Sequence, residues 1–257
     1  MATTHAPSGP ASTRSKRSLA LTVALVVIVA LVAALIGAEL YVRHNVKQCM
    51  TSQFESQLGS QVDVGLSAKP VLLQAVDKKV PYITITSDDS SFGPAKDMHV
   101  SARVNDVDLT TSETSGGTVG SSTADIEWST QGILSTIQEQ PFGALVTNVV
   151  ADPSAGTLQF QVMGSIAQLT VKPTVVDGAV HVQTVDAAVF GLGLPTDLVS
   201  GIVDILTSSL QNFPLGMTAQ TLTVSSSGLE LTLAGGAYTM PAPQAGQQAP
   251  DSCSLLV

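Results

Sequence analysis

Val100–Trp128, VSARVNDVDLTTSETSGGTVGSSTADIEW, is the stretch that decides the fold. Val100, Ala102 and Val104, with Val107 and Leu109 beyond them, alternate with polar residues; Val119, Ala124, Ile126 and Trp128 repeat the pattern after the Gly/Ser-rich stretch Ser112–Ser122. Successive side chains of a strand point to opposite faces, so both arms read as half-buried strands and the pair as a long antiparallel hairpin.

The flanking sequence keeps this character. Before the hairpin, Val46–Leu58 reads as a short helix that Gly59 ends, and Val62, Val64 and Leu66 as a strand. Pro70 opens one or two amphipathic turns through Val71, Leu72, Gln74, Ala75, Val76 and Val80, ending before Pro81, and Tyr82–Thr86 returns to strand. After the hairpin, Ser129–Gln140 places Ile133, Leu134 and Ile137 at helical spacing, with Ser129 as N-cap and Pro141 as stop. Thr157–Met163, Ser165–Lys172 and Thr174–Val185 read as strands, the last folded at an Asp177-Gly178 turn. Pro195–Phe213 gives the clearest helix, with Leu198, Ile202, Ile205, Leu206 and Leu210 on one side and Thr196 as cap; Gln220–Ser225 and Leu229–Ala234 close as a hairpin around Gly228. Long antiparallel strands with a few amphipathic helices, and no regular strand-helix repeat, make the class α+β. The expected architecture is a long, curved antiparallel sheet wrapped around amphipathic helices, with room for apolar chains beside them.

Outside this domain the sequence changes abruptly. Leu19–Ala38 is a run of 20 residues without a charge, and Thr22 is its one hydrogen-bonding side chain. At about 1.5 Å per residue it matches the roughly 30 Å hydrocarbon core of a bilayer. A cleaved signal peptide is the competing reading, but its apolar stretch is about 7–15 residues and ends in small residues, whereas Ile36 stands where Ala38 cleavage wants a small one. The expected organisation is a disordered cytoplasmic tail over residues 1–18, a transmembrane anchor over 19–42, an extracytoplasmic (periplasmic) domain over 46–236 and a Pro/Gln-rich tail over 237–257. Arg14, Lys16 and Arg17, with no acid among them, set the N-terminus inside.

Charge and composition remove several function classes. Of all residues 44% are hydrophobic and only 12% charged, so Ser, Thr, Gln and Gly must supply most of the surface. From His44 onward 7 Lys+Arg face 19 Asp+Glu, a balance of −12 that excludes a nucleic-acid partner, which needs clustered Lys/Arg. The Gly-x-Ser-x-Gly elbow and the His-Glu-x-x-His pair are both missing; His99 and His181 are isolated strand residues, so no catalytic, cofactor or metal site is expected. Asp88-Asp89 and Asp106 with Asp108 lack the ligand count of a calcium loop and read as solvated turn carboxylates. The two cysteines, Cys49 and Cys253, are a candidate disulfide closing a loop of about 200 residues, worth about 4–5 kcal/mol in the chain-entropy model. Two free thiols are the alternative.

The order of these motifs resembles the actinobacterial DUF2993 family, which includes the lipomannan elongation maintenance (LmeA-like) proteins. The features that carry it are the N-terminal span, Val62-Asp63-Val64 before Lys69-Pro70-Val71-Leu72-Leu73, Val104-Asn105-Asp106-Val107, and Phe213-Pro214 before Leu222-Thr223-Val224 and Gly228-Leu229-Glu230-Leu231. That family looks like a distant relative of the tubular lipid-binding (TULIP) superfamily. The resemblance implies a membrane-tethered binder of phospholipid or lipoglycan precursor that supports the cell envelope. Many relatives have an aromatic residue after the proline where this chain has Pro70-Val71, which bears on lipid choice. Candidate lipid contacts are Leu72, Leu73 and Val76; Ile133, Leu134 and Ile137; and Leu198, Ile202, Ile205 and Leu206, with Phe142 and Phe190 beside glycines as a mouth. An apolar helical stripe is by default simply core, and that reading stands beside the pocket. Two rivals remain: a structural or interaction module of the envelope without a lipid ligand, and an enzyme acting on envelope lipids through His99 or His181.

Overall fold

Arg14–Leu58 forms one helix, α1, in a computed structural model that describes residues 14–58, 61–92, 95–164, 166–189, 196–211 and 213–242. The chain divides into two units, Met1–His44 and Asn45–Val257. In the first, the large apolar side chains from Leu21 to Tyr41 are all exposed, and α1 is long and apolar enough from Leu21 to Ser52 to cross a membrane. A helix apolar on every side satisfies its own backbone and leaves the rest to a lipid solvent or another apolar partner.

The second unit begins with the end of α1. Val46 and Cys49, three apart and so on one helical face, are buried, and Lys47 pairs with Asp63 at 2.7 Å. There follow β1 (Asp63–Leu66), α2 (Val71–Asp77), β2 (Lys79–Phe92), β3 (Ala95–Asp108), β4 (Ser115–Val119), β5 (Ser121–Ser129), α3 (Thr130–Gln138), β6 (Val146–Asp152), β7 (Thr157–Val162), β8 (Ala167–Val176), β9 (Ala179–Val189), α4 (Thr196–Ser209), β10 (Thr218–Val224), β11 (Gly228–Gly235) and β12 (Tyr238–Pro241). The unit is α+β with an unclosed, curved antiparallel sheet, as expected, and its strands fall into two hydrogen-bonded sets. The larger runs β1-β2-β3-β5-β11-β10, with β4 and β12 as a side ribbon; the smaller is the meander β6-β7-β8-β9.

The long hairpin is present as β3 and β5, paired from Met98↔Trp128 to Asn105↔Ser121. Its turn holds β4, and at Asp106 the chain of β3 takes a left-handed conformation (φ 52°) between Val104 and Val107, which both bury in a small second core with Val80 and Val119. Gly120 donates to the carbonyls of Asn105 and Asp106, so close that a Cβ would lie 2.8 Å from that of Asp106. The Asp177-Gly178 turn, with φ of 52° and 77°, joins β8 to β9 as a two-residue hairpin turn.

Both sheets, α3 and α4 share the main core, which includes Trp128, Ile133, Phe160, Leu169, Ile202 and Leu231. On α4 the buried stripe Leu198, Ile202 and Leu206 steps by four along one face, and buried Leu210 follows just past its end. Ser129 caps α3, its hydroxyl accepting from the Gly132 N–H at 2.9 Å, and the helix ends at Gln138 ahead of Pro141.

Several sequence expectations need correction. Lys78 takes a left-handed conformation (φ 55°) that closes α2, so Val80 belongs to β2 and not to the helix. Pro81 is tolerated inside β2 because β1 pairs only from Ile83 onward. Pro173 does not divide β8, since the β7 ladder stops at Val171 and the proline pairs with Val182 on the other side. Thr196 is itself helical in α4 and so is not its cap. Three strands were not foreseen: β4, inside the Gly/Ser-rich stretch between the hairpin arms; β6, whose buried Val146 and Val149 are three apart across a register shift; and β12, beyond residue 236. Ser129→Ala should lower stability by about 1 kcal/mol through loss of the α3 cap, measurable as a shift of the denaturant midpoint at unchanged slope.

Candidate functional site

The helical residues singled out in the sequence separate into two groups. Ile133, Leu134 and Ile137 of α3 and Leu198, Ile202 and Leu206 of α4 are buried in the main core, and half-buried Ile205 packs against it. On α2 the expected inward face is turned out. Leu73 and Val76 are 56% and 82% exposed and Leu72 is half-buried, whereas Val71 and Gln74 point inward. Gln74 takes the inner position because its amide has partners there: it donates to Ser67 Oγ at 3.1 Å and to the Lys69 carbonyl at 2.6 Å, so its burial leaves no orphan donor.

Phe142 lies against α4, where its ring fills the space above Gly201; a Cβ on that glycine would come within 2.4 Å of the ring. Phe190 lies outside the described residues, as does Cys253. Cys49 is buried and is not a free thiol.

An open groove of about 620 Å³ runs between β8 and β10, within the roughly 300–1,000 Å³ of small-molecule sites. Residues 172–175 form one wall and 220–224 the other, with Pro153 and Gly156 of the β6–β7 turn at one end. Val175 and Leu222 back onto the main core and give the groove an apolar base. Thr174, Gln220, Thr221 and Thr223 supply hydroxyls and an amide, and Lys172 is the one charged lining residue among the described residues. The Ala219 N–H donates to the Gly178 carbonyl at 2.8 Å, tying β10 to the β8–β9 turn and fixing the spacing of the walls. Sequence reasoning missed this groove because each wall strand reads as an ordinary Thr-rich strand, and only folding brings the two together.

The acids have local roles. Asp152, next to the groove's end, has its carboxyl held below the usual aspartate range by the Ser154 hydroxyl and then the Ala155 and Ser154 N–H groups, a turn of its own making. Asp108 is lowered in the same way by Thr110. The side chains of Asp88 and Asp89 lie outside the described residues. His99 and His181 sit in different sheets, on β3 and β9, and no cluster of three metal-ligating side chains occurs among the described residues.

Residues 33–234, spanning every strand that lines the groove, match the family described as LmeA-like phospholipid-binding. The chain belongs to that family. It is also 31% identical over 199 residues to uncharacterised proteins of Mycobacterium bovis and Mycobacterium tuberculosis, covering 76% of this chain and 57% of each relative. The chain thus spans little more than half the length of those relatives. No solved structure matches it. LmeA-like proteins are lipid binders as a family, not a family of enzymes.

Gly201→Ala should force the Phe142 ring from α4 and cost about 1–3 kcal/mol by overpacking. Thermal denaturation of the single variant and of its combination with Phe142→Leu checks this: the smaller side chain should recover part of the loss.

Proposed function

We propose that this protein binds a phospholipid, or the phospholipid part of a lipoglycan precursor, at the outer face of the membrane in support of the cell envelope. The observation that carries the reading is family membership over the very strands that build the β8–β10 groove. The acyl part rests on Val175 and Leu222, and the phosphate faces Lys172 and the surrounding hydroxyls. Each buried methylene contributes about 0.8 kcal/mol, so part of one chain gives useful affinity. The charge-assisted contact at Lys172 then selects an anionic headgroup.

The apolar part of α1 serves as an uncleaved anchor with Arg14, Lys16 and Arg17 on the cytoplasmic side. It keeps an acidic domain beside a lipid supply that electrostatics alone would not hold. Cys49 bonds to Cys253, tying the chain after β12 back to the start of the domain; burial of Cys49 in a non-free state supports this. The groove binds without turnover.

Native mass spectrometry of the full chain released in mild detergent is the direct test. Phospholipid should be retained, and Lys172→Glu should reduce its occupancy about tenfold or more, the scale of a lost charge-assisted hydrogen bond. Release of lipid-free protein under conditions that preserve a control lipid complex would overturn the proposal and favour a structural envelope module. Thiol labelling of the unreduced, denatured chain should find no free cysteine, and Cys49→Ser should destabilise the domain by about 2–5 kcal/mol.

A further inference from the structure

Val76 is the most exposed large apolar side chain among the described residues, more so than any on the apolar part of α1. Leu73 projects from the same short helix, and Leu109, 45% exposed, lies beside the helix's left-handed end, its N–H donating to the Lys78 carbonyl at 2.8 Å. The exposure is built in: Gln74 and its two hydrogen bonds hold the opposite side of α2 against the domain, and the left-handed Lys78 turns the chain into β2.

The charge around this apolar face departs from the acidity of the rest of the domain, although Asp77 and, across the β2–β3 ladder from Lys79, Asp108 stand beside its lysines. Residues 69–79 hold three lysines, Lys69, Lys78 and Lys79, and one acid, Asp77; the remainder of the chain after His44 has 4 basic residues against 18 acidic ones. Both Asp77 oxygens are occupied, one by the Lys69 ammonium and the other by the Lys79 N–H, and the nearby Asp108 accepts from the Thr110 N–H. Lys78 and Lys79 are left facing outward.

We infer that Leu73, Val76 and Leu109, framed by Lys78 and Lys79, seat the domain on an anionic phospholipid bilayer. The apolar side chains enter the headgroup boundary and the lysines meet phosphates, as in an interfacial amphipathic helix. A bilayer offers both negative charge and an apolar interior, the two features that lysines framing apolar side chains would meet. Seating does not depend on an occupied groove.

The test uses the full chain reconstituted in vesicles of phosphatidylcholine, with and without phosphatidylglycerol, each also prepared with acyl-brominated lipid. Val76→Trp adds a reporter. Buried Trp128 is the internal reference for an intact fold, and Val185→Trp, 58% exposed in the native residue on β9, controls for tethering alone. With phosphatidylglycerol, the added emission at 76 should shift to the blue and be quenched several-fold more than that at 185. Lys78→Glu with Lys79→Glu should lower the docked fraction about fivefold for each lysine lost. Quenching at 76 no greater than at 185, or equal with and without phosphatidylglycerol, would overturn the inference. So would a blue shift without bromolipid quenching, which would mean that protein covers the face.

Discussion

The peptide at Lys96 is gripped from three sides, and the larger sheet and α3 are arranged around that grip. Its carbonyl accepts the indole N–H of Trp128 at 2.9 Å, and its N–H donates to the Thr136 hydroxyl at 2.8 Å. Gly132 lies so near that a Cβ there would be 2.5 Å from the same carbonyl. A buried peptide group must be satisfied, so β3, β5 and α3 have little freedom to shift independently. The Met98↔Trp128 register and the Ser129 cap both follow from this junction.

From that junction the two sheets acquire a common core. α3 packs against β6, and its Ile133 and Ile137 share one buried cluster with Val146, Leu158 and Phe160 of the smaller sheet. α4 adds a second apolar stripe, and the Ala219–Gly178 hydrogen bond brings β10 beside the β8–β9 turn. The groove is a consequence: two strands from different sheets are held near each other but not paired, leaving Val175 and Leu222 half-covered. An unpaired seam over a packed core offers apolar contact below and polar groups above, which suits an amphiphile.

The electrostatics follow the same economy of local structure. Asp77, Asp108 and Asp152 all accept hydrogen bonds from residues close to them in the chain, so these three carboxylates serve turns and helix ends. Lys69 and the Lys79 N–H hold Asp77 in this way, while Leu73 and Val76 of α2 face outward beside them.

The sequence by itself determined the apolar span, the acidic α+β domain, the β3–β5 hairpin, the Ser129 cap and the turn at Asp177-Gly178, because each depends on contacts a few residues apart or on a simple period. The family resemblance was legible for the same reason, in the order of short local motifs. β6 was hidden, since its register shift spaces the buried Val146 and Val149 three apart. The fate of the helical stripes was equally hidden: all three carry apolar residues, yet α3 and α4 bury theirs while α2 displays Leu73 and Val76. Period reveals that a helix has an apolar face; only tertiary structure decides whether a partner covers it. On α2 the deciding fact is that Ser67 and the Lys69 carbonyl were placed to receive Gln74. The groove, too, belongs to tertiary structure alone, because its walls lie some fifty residues apart and their proximity depends on how two sheets meet.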